Sequence, residues 1–459
     1  MSKQINKVSF ANLVIALGII YGDIGTSPLY VLNAIIPGRI IEEKLILGSL
    51  SCIIWTLTLQ TTVKYVWLTL KADNKGEGGI FSLYALVRRQ KRWLVIPAML
   101  GGAALLADGM ITPPISVTSA IEGLRQMPAF HFIDQSTIVY IVIGILVVLF
   151  FLQQFGTESI GKLFGPIMFI WFTMMAVLGS AHLVDDLHIF QALSPHYAIE
   201  LLTTYRKGFW ILGAVFLCTT GAEALYSDLG HCGRGNIRNS WIYVKACLIL
   251  NYLGQGAYLL KQYEGRIFDT SVNNPFFNIM PSWFLIPGII IATAAAIIAS
   301  QALITGSYTL ISESMRLNLW PKLRISYPTE ERGQSYIPAI NFMLFIGCTG
   351  IVFYFRSSAH MEAAYGLAIT LCMLATSILF SNYLISRRTR SVLIYLYLAV
   401  YLTIEISFLT ANLEKFPHGG FVTLIVGGAL FTVMFVWFRA RKIKNRYVEF
   451  VRMEHYIPQ

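Results

Sequence analysis

Apolar residues in this chain neither alternate, as in a half-buried strand, nor mark one stripe of a short surface helix. They come in long runs separated by short polar segments, repeatedly from Phe10 to Phe438. A lipid core about 30 Å thick needs about 20 consecutive apolar residues per helix, and by that measure the sequence supplies about twelve spans. The first six cover roughly 10–36, 46–70, 93–121, 137–155, 160–182 and 207–229. The rest cover roughly 240–260, 282–314, 337–356, 361–386, 391–410 and 419–438. An even number places both termini on one side of the membrane. The expected fold class is therefore all-α integral membrane, one transport domain over 1–438 followed by a short basic tail over 439–459.

Composition strengthens that reading. The chain has 459 residues, 56% hydrophobic and only 13% charged, with a mean hydropathy of +0.62, too apolar to close as one soluble domain. The first segment is not a cleaved signal peptide, because it contains Asp23 and Pro28 and lacks a small-residue cleavage site. Threading the spans puts about 24 Lys and Arg on the side of the N-terminus and about 9 on the other, so both termini are expected in the cytoplasm of a bacterial-type inner (plasma) membrane. The basic clusters Arg88–Arg92, Arg387–Arg390 and Arg439–Arg446 all fall on that side, and they account for the net charge of +11 without nucleic acid as a partner. Lys64 and Lys245 lie inside spans. The six cysteines show no CxxC spacing and read as packing residues rather than a disulfide or zinc framework.

Two spans carry a glycine and an acid where a membrane helix should be continuous: GIIYGDIGTSPLY in the first and LCTTGAEALYSD in the sixth. Interruptions five spans apart mark an inverted-repeat transporter of the LeuT type, with its substrate at the midplane between the breaks. The first repeat then covers about 10–182 and the second about 207–386, with two additional helices over about 391–438. A glycine kink is the plain alternative for either break alone.

An ionisable group at membrane depth costs several kcal/mol unless paired or hydrated, so Asp23, Asp108 and Glu223 each need a reason to be there. Asp23 sits between Gly22 and Gly25, where unwound carbonyls become ligands for a cation, and Tyr30 follows two turns later. In the third span Asp108, Thr112 and Ser116 recur every four residues, on one stripe drifting by about 40° per step. Pro113 and Pro114 are expected to loosen that helix and free further carbonyls. In the sixth span Thr219 and Thr220 precede Gly221 and Glu223. Glu223 is the candidate to load and release a proton while other oxygens hold a metal cation, the alternative being a structural carboxylate bonded to helix ends. Carbonyl, hydroxyl and carboxylate oxygens together suit a dehydrated hard monovalent cation.

GTESIGK, from Gly156 to Lys162, has phosphate-loop spacing but continues into Leu163 and lies between two membrane helices, so a nucleotide site is rejected. The histidines, among them His182, His188, His231 and His418, fall at helix ends or loops without ligand spacing. Three other readings stay open on the residues alone: a carrier of an organic amine, a channel-like conductance, and, weakest for want of a His or Cys cluster, a membrane enzyme.

Several stretches resemble the KUP (KT/HAK/KUP) potassium uptake permeases. They are GIIYGDIGTSPLYVL at 18–32, KADNKGEGGIFSLYALVRR at 71–89, LLADGMITPPISVTSAIEGL at 105–124 and the GTESIGKLFGPIM segment. GAEALYSDLGHCGRGNIRNSW at 221–241, LNYLGQGAYLL at 250–260 and ASQALITGSYTLISES at 299–314 continue the resemblance in order. It implies the amino acid-polyamine-organocation superfamily fold and proton-coupled potassium import by symport. It carries potassium binding to Asp23, Tyr30, Asp108, Thr112, Ser116 and Thr220, and adds Tyr365, which spacing alone does not reveal and which otherwise reads as an interfacial anchor. It implies no cofactor, only potassium and protons as cargo, and it admits a homodimer. Relatives of this kind usually continue into a large cytosolic region, whereas this sequence stops at Gln459.

Overall fold

The computed structural model describes residues 8–127, 130, 132–156, 158–184, 186–270, 273–328 and 335–447; the side chains of 158–162, 231 and 418 lie outside that description. Among the described residues the protein is helical, with isolated bridges such as Ile40 to Ile267 but no strand. Ten helices among the described residues are long and apolar enough to cross a membrane, or eleven if the bent first pair is one span. The seventh expected span lies within the 30-residue helix Arg234–Tyr263, whose Lys245, Asn251 and Gln255 lower its apolarity.

The first span is α1 (Phe10–Ile20) and α2 (Gly22–Thr26), the latter extended by a 3-10 turn at Ser27–Leu29. The two halves meet at 74°. Next come α3 (Glu43–Thr56), which continues as a π-helix over Leu57–Leu68, α4 (Ile80–Val87) and α5 (Val95–Glu122). After α6 (Gln135–Leu152), α7 (Glu158–Leu183) and the short α8 (Pro195–Thr204), the sixth span is again divided. Its halves are α9 (Gly208–Val215) and α10 (Ala222–Ser227). The chain closes with α11 (Arg234–Tyr263), α12 (Leu285–Arg316), α13 (Pro338–Phe355), α14 (Ser358–Ser386), α15 (Ser391–Leu413) and α16 (Gly420–Lys444).

Burial sorts these helices. In the most apolar window of the span around α5, 83% of the residues are buried, against 17% in α16, so α5 is the central post and α16 faces outward. α12, α14 and α16 all pack along α5, and α7 packs along α1 and α11. Large apolar side chains exposed on the outer helices, such as Val148, Phe151, Ile346 and Leu396, form the surface that lipid covers.

Two expectations change in detail. α5 runs unbroken through Pro113 and Pro114. The Gly109 carbonyl, which Pro113 cannot engage, accepts from the Cys348 thiol at 3.8 Å and is taken up by α13 rather than by the site. The basic tail begins as helix: Arg441, Lys442 and Lys444 form the last turn of α16, where cations complement exposed carbonyls. Residues 448–459 lie outside the described residues, as do Thr157 and the side chains of 158–162 in the GTESIGK segment.

Candidate cation site

The site begins with two broken spans. Tyr21 ends α1 and separates it from α2, so Gly22, Asp23 and Gly25 form a new short helix at a steep angle. In the sixth span the helix tightens to 3-10 over Phe216–Thr219, Thr220 is extended at ψ 143°, and Gly221 is left-handed at φ 82° before α10 starts. The breaks touch. A Cβ on Gly221 would stand 2.9 Å from the Asp23 Cβ and 2.9 Å from the Ile24 nitrogen. Only a residue without a side chain lets the chain turn there against α2.

Around this contact the candidate oxygens converge. Tyr365, on α14, donates its hydroxyl to the Asp23 carboxylate, 3.0 Å from one oxygen and 3.2 Å from the other. The Thr112 hydroxyl lies 2.9 Å from Asp108 Oδ1 and 2.9 Å from the Tyr365 oxygen, so the two carboxylates are linked through Thr112 and Tyr365. Ser116 extends the stripe to Thr26 at 3.4 Å. On the other flank Thr220 lies 3.0 Å from the Ser27 hydroxyl and 3.3 Å from that of Tyr30, and Ser27 and Tyr30 are 3.4 Å apart. Tyr30 and Tyr365 meet edge to face, ring centres 6.4 Å apart.

All seven residues, Asp23, Tyr30, Asp108, Thr112, Ser116, Thr220 and Tyr365, are therefore gathered in one buried cluster drawn from four spans. Register supports it. Glu122 at the end of α5 accepts from the Ser358 amide at 3.1 Å and from its hydroxyl, which fixes the start of α14 against α5 two turns before Tyr365. Sequence reasoning passed over Thr26 and Ser27, although both hydroxyls lie in the GDIGTSPLY interruption itself.

Glu223 stands apart from this oxygen set. Tyr65 donates to one of its carboxylate oxygens and Thr376 to the other, the latter at 3.2 Å. It therefore bonds side chains of the second and tenth spans and not helix ends. Thr219 turns its hydroxyl back to the Phe216 carbonyl at 2.8 Å and takes no part in the cluster. His182 bonds the Ile279 carbonyl at 3.0 Å and His188 is exposed, both away from the cluster; His231 and His418 have side chains outside the described residues.

A small cavity adjoins Asp23, lined by Ile20, Leu105, Ala302, Ser307 and Leu310 and by Asp228. Ser227 also lines it and packs against Gly79, in the segment between the second and third spans. On the opposite side the Pro28 and Leu29 carbonyls are covered by the side-chain amides of Gln255 at 3.2 Å and Asn274 at 2.8 Å.

Known proteins are similar to this chain over nearly its whole length. Residues 10–442 match the model of the K+ potassium transporter integral membrane domain. The chain is 58% identical over 458 residues to a probable potassium transport system protein Kup of Cytophaga hutchinsonii, covering 98% of this chain and 68% of that one. It is 54% identical over 463 residues to a protein of the same description from Clostridium perfringens, covering 99% of this chain and 70% of the other. Among solved structures, a manganese transporter of Eremococcus coleocola aligns over 95% of this chain and 94% of its own at 12% identity, with a TM-score of 0.47.

Proposed function

The chain belongs to the family defined by the K+ potassium transporter integral membrane domain, and from that premise we propose that it imports potassium across the plasma membrane by proton symport with alternating access. The observation that carries the reading is the cluster itself. Two carboxylates, three aliphatic hydroxyls and two phenols from four spans converge at the junction of two broken helices. Oxygens of these kinds replace the water of a hard monovalent cation. Asp23 and Asp108 supply charge, Thr112, Ser116 and Thr220 neutral oxygens, and Tyr30 and Tyr365 a wall that also orients the acids.

In this reading the two five-span repeats rock against each other about the site, and the additional helices α15 and α16 lie outside the repeats. With the N-terminus in the cytoplasm, as the basic loops favour, the cavity beside Asp23 leads inward and the amide-capped carbonyls of Pro28 and Leu29 close the outer side. Glu223, held by two neutral hydroxyl groups and separate from the cation oxygens, is the proton carrier. Potassium and a proton load together from outside and leave together inside. A homodimer fits this scheme without being needed for it, since every candidate ligand comes from one chain.

An amine carrier on the same scaffold is the reading that competition separates from this one. Rubidium-86 uptake into proteoliposomes, competed separately by potassium and by alkylamines, tests the assignment. Potassium is expected to abolish uptake and amines to leave it unchanged; competition by amines alone contradicts it.

A further inference from the structure

A second buried charge cluster lies beside Glu223. Lys64 and Glu405 are both fully buried, and Lys64 Nζ stands 2.5 Å from Glu405 Oε1 and 3.0 Å from the Met373 carbonyl. The Ser377 hydroxyl donates to the same carboxylate oxygen at 2.8 Å. The pair joins the second span to α15, a helix outside the two repeats. Lys64 lies on the π-helix Leu57–Leu68, where the consecutive residues Lys64 and Tyr65 are both buried. The Lys64 ammonium lies 4.8 Å from the centre of the Tyr65 ring, and Tyr65 donates to Glu223.

One ammonium and two carboxylates carry a net negative charge when all are ionised, and an uncompensated charge at membrane depth is costly. One proton makes the cluster neutral. Lys64 bonds Glu405 directly, whereas the groups that bond Glu223, the Tyr65 and Thr376 hydroxyls and the Cys372 thiol, are all neutral, so the proton belongs on Glu223. The other titratable groups in electrostatic reach of Glu223 are Cys372 from α14, Tyr397 from α15, Asp108 from α5 and Tyr226 on its own helix. Among these groups only Lys64 is a cation.

We propose that Lys64 and Glu405 are positioning residues for coupling: Glu405 occupies the lysine, which leaves Glu223 free to take and release the proton. The inference rests on the proton-symport reading and makes α15 a working part of the cycle. Neutralising Glu405 alone hands Lys64 to Glu223 as a counterion and fixes Glu223 as a carboxylate. Neutralising both partners returns Glu223 to its exchanging role.

The test is rubidium-86 uptake by proteoliposomes with and without an inward proton gradient, with rubidium binding measured on the same purified protein. Wild type, Glu405→Gln and the double variant Lys64→Met with Glu405→Gln are compared. Glu405→Gln is expected to lose gradient stimulation about ten-fold with rubidium affinity within about three-fold of wild type. The double variant is expected to regain stimulation to within about three-fold. Should Glu405→Gln fail to fold, the double variant decides alone: gradient stimulation supports the proposal, and intact rubidium binding without stimulation overturns it. Glu405→Gln that keeps full stimulation, or loses binding in step with uptake, also overturns it. Absence of gradient stimulation in the wild type sinks the symport reading instead, so the two failures are distinguishable.

Discussion

Gly221 and Asp23 are in contact across the two broken spans, with room for a hydrogen but not a methyl group between the Gly221 Cα and the Asp23 Cβ. The relationship joins backbone to chemistry: the left-handed turn that releases Thr220 from the sixth helix also sets how closely α10 approaches the first carboxylate. Gly221→Ala adds a left-handed penalty of about 1–2 kcal/mol to a clash at 2.9 Å with backbone and Cβ atoms that cannot swing away. The expected outcome is loss of rubidium uptake by about ten-fold or more, with a lowered melting temperature. Uptake near the wild-type rate would show that the breaks need not meet so closely.

Tyr365 links the two acidic arms, donating to Asp23 and meeting Thr112 at 2.9 Å. Tyr365→Phe keeps the edge-to-face packing on Tyr30 and removes only the hydroxyl. One hydrogen bond to a charged group is worth about 1.5–3 kcal/mol, so rubidium affinity is expected to fall by about ten- to a hundred-fold. Binding measured by calorimetry on the purified protein checks it.

In the proposed site Thr112 acts through its hydroxyl rather than its methyl group, since Asp108 and Tyr365 both meet that oxygen. Thr112→Ser should retain affinity within about three-fold, while the near-isosteric Thr112→Val should lose about ten-fold. Equal behaviour of the two variants in a rubidium-binding titration would assign Thr112 to packing.

Glu223 bonds Tyr65 and Thr376 and none of the candidate cation oxygens, which in the proposed scheme separates coupling from binding. Glu223→Gln preserves shape and hydrogen-bonding capacity but cannot exchange a proton. The variant should bind rubidium normally and respond about ten-fold less to a proton gradient. Unchanged gradient-driven uptake at normal expression would remove Glu223 from the coupling role.

Much of this was legible in the sequence because the signals are local. The Asp108, Thr112 and Ser116 stripe needs only helical spacing, and the interruptions in the first and sixth spans are visible as glycine beside an acid. Tyr365 was different: nothing near AAYGLAIT marks it as a ligand, and only resemblance brought it forward. Lys64 was visible as a charge inside a span, but its partner Glu405 lies 341 residues away, and no periodicity links them. The π-helix that carries Lys64 and Tyr65 likewise leaves no trace in an apolar run. The prolines of α5 misled in the opposite sense, since packing by α12, α14 and α16 keeps that helix continuous where its own sequence argues for loosening.

The central claim, that Asp23 and Asp108 hold a monovalent cation whose entry is driven by protons, is tested most directly by rubidium-86 uptake into proteoliposomes. Wild type, Asp23→Asn and Asp108→Asn are measured with and without an inward proton gradient. The account predicts gradient-stimulated uptake in the wild type and a loss of about a hundred-fold in each variant, with protein still inserted and monodisperse. Rubidium entering the wild type only down its own gradient, or either asparagine variant transporting at the wild-type rate, would contradict it.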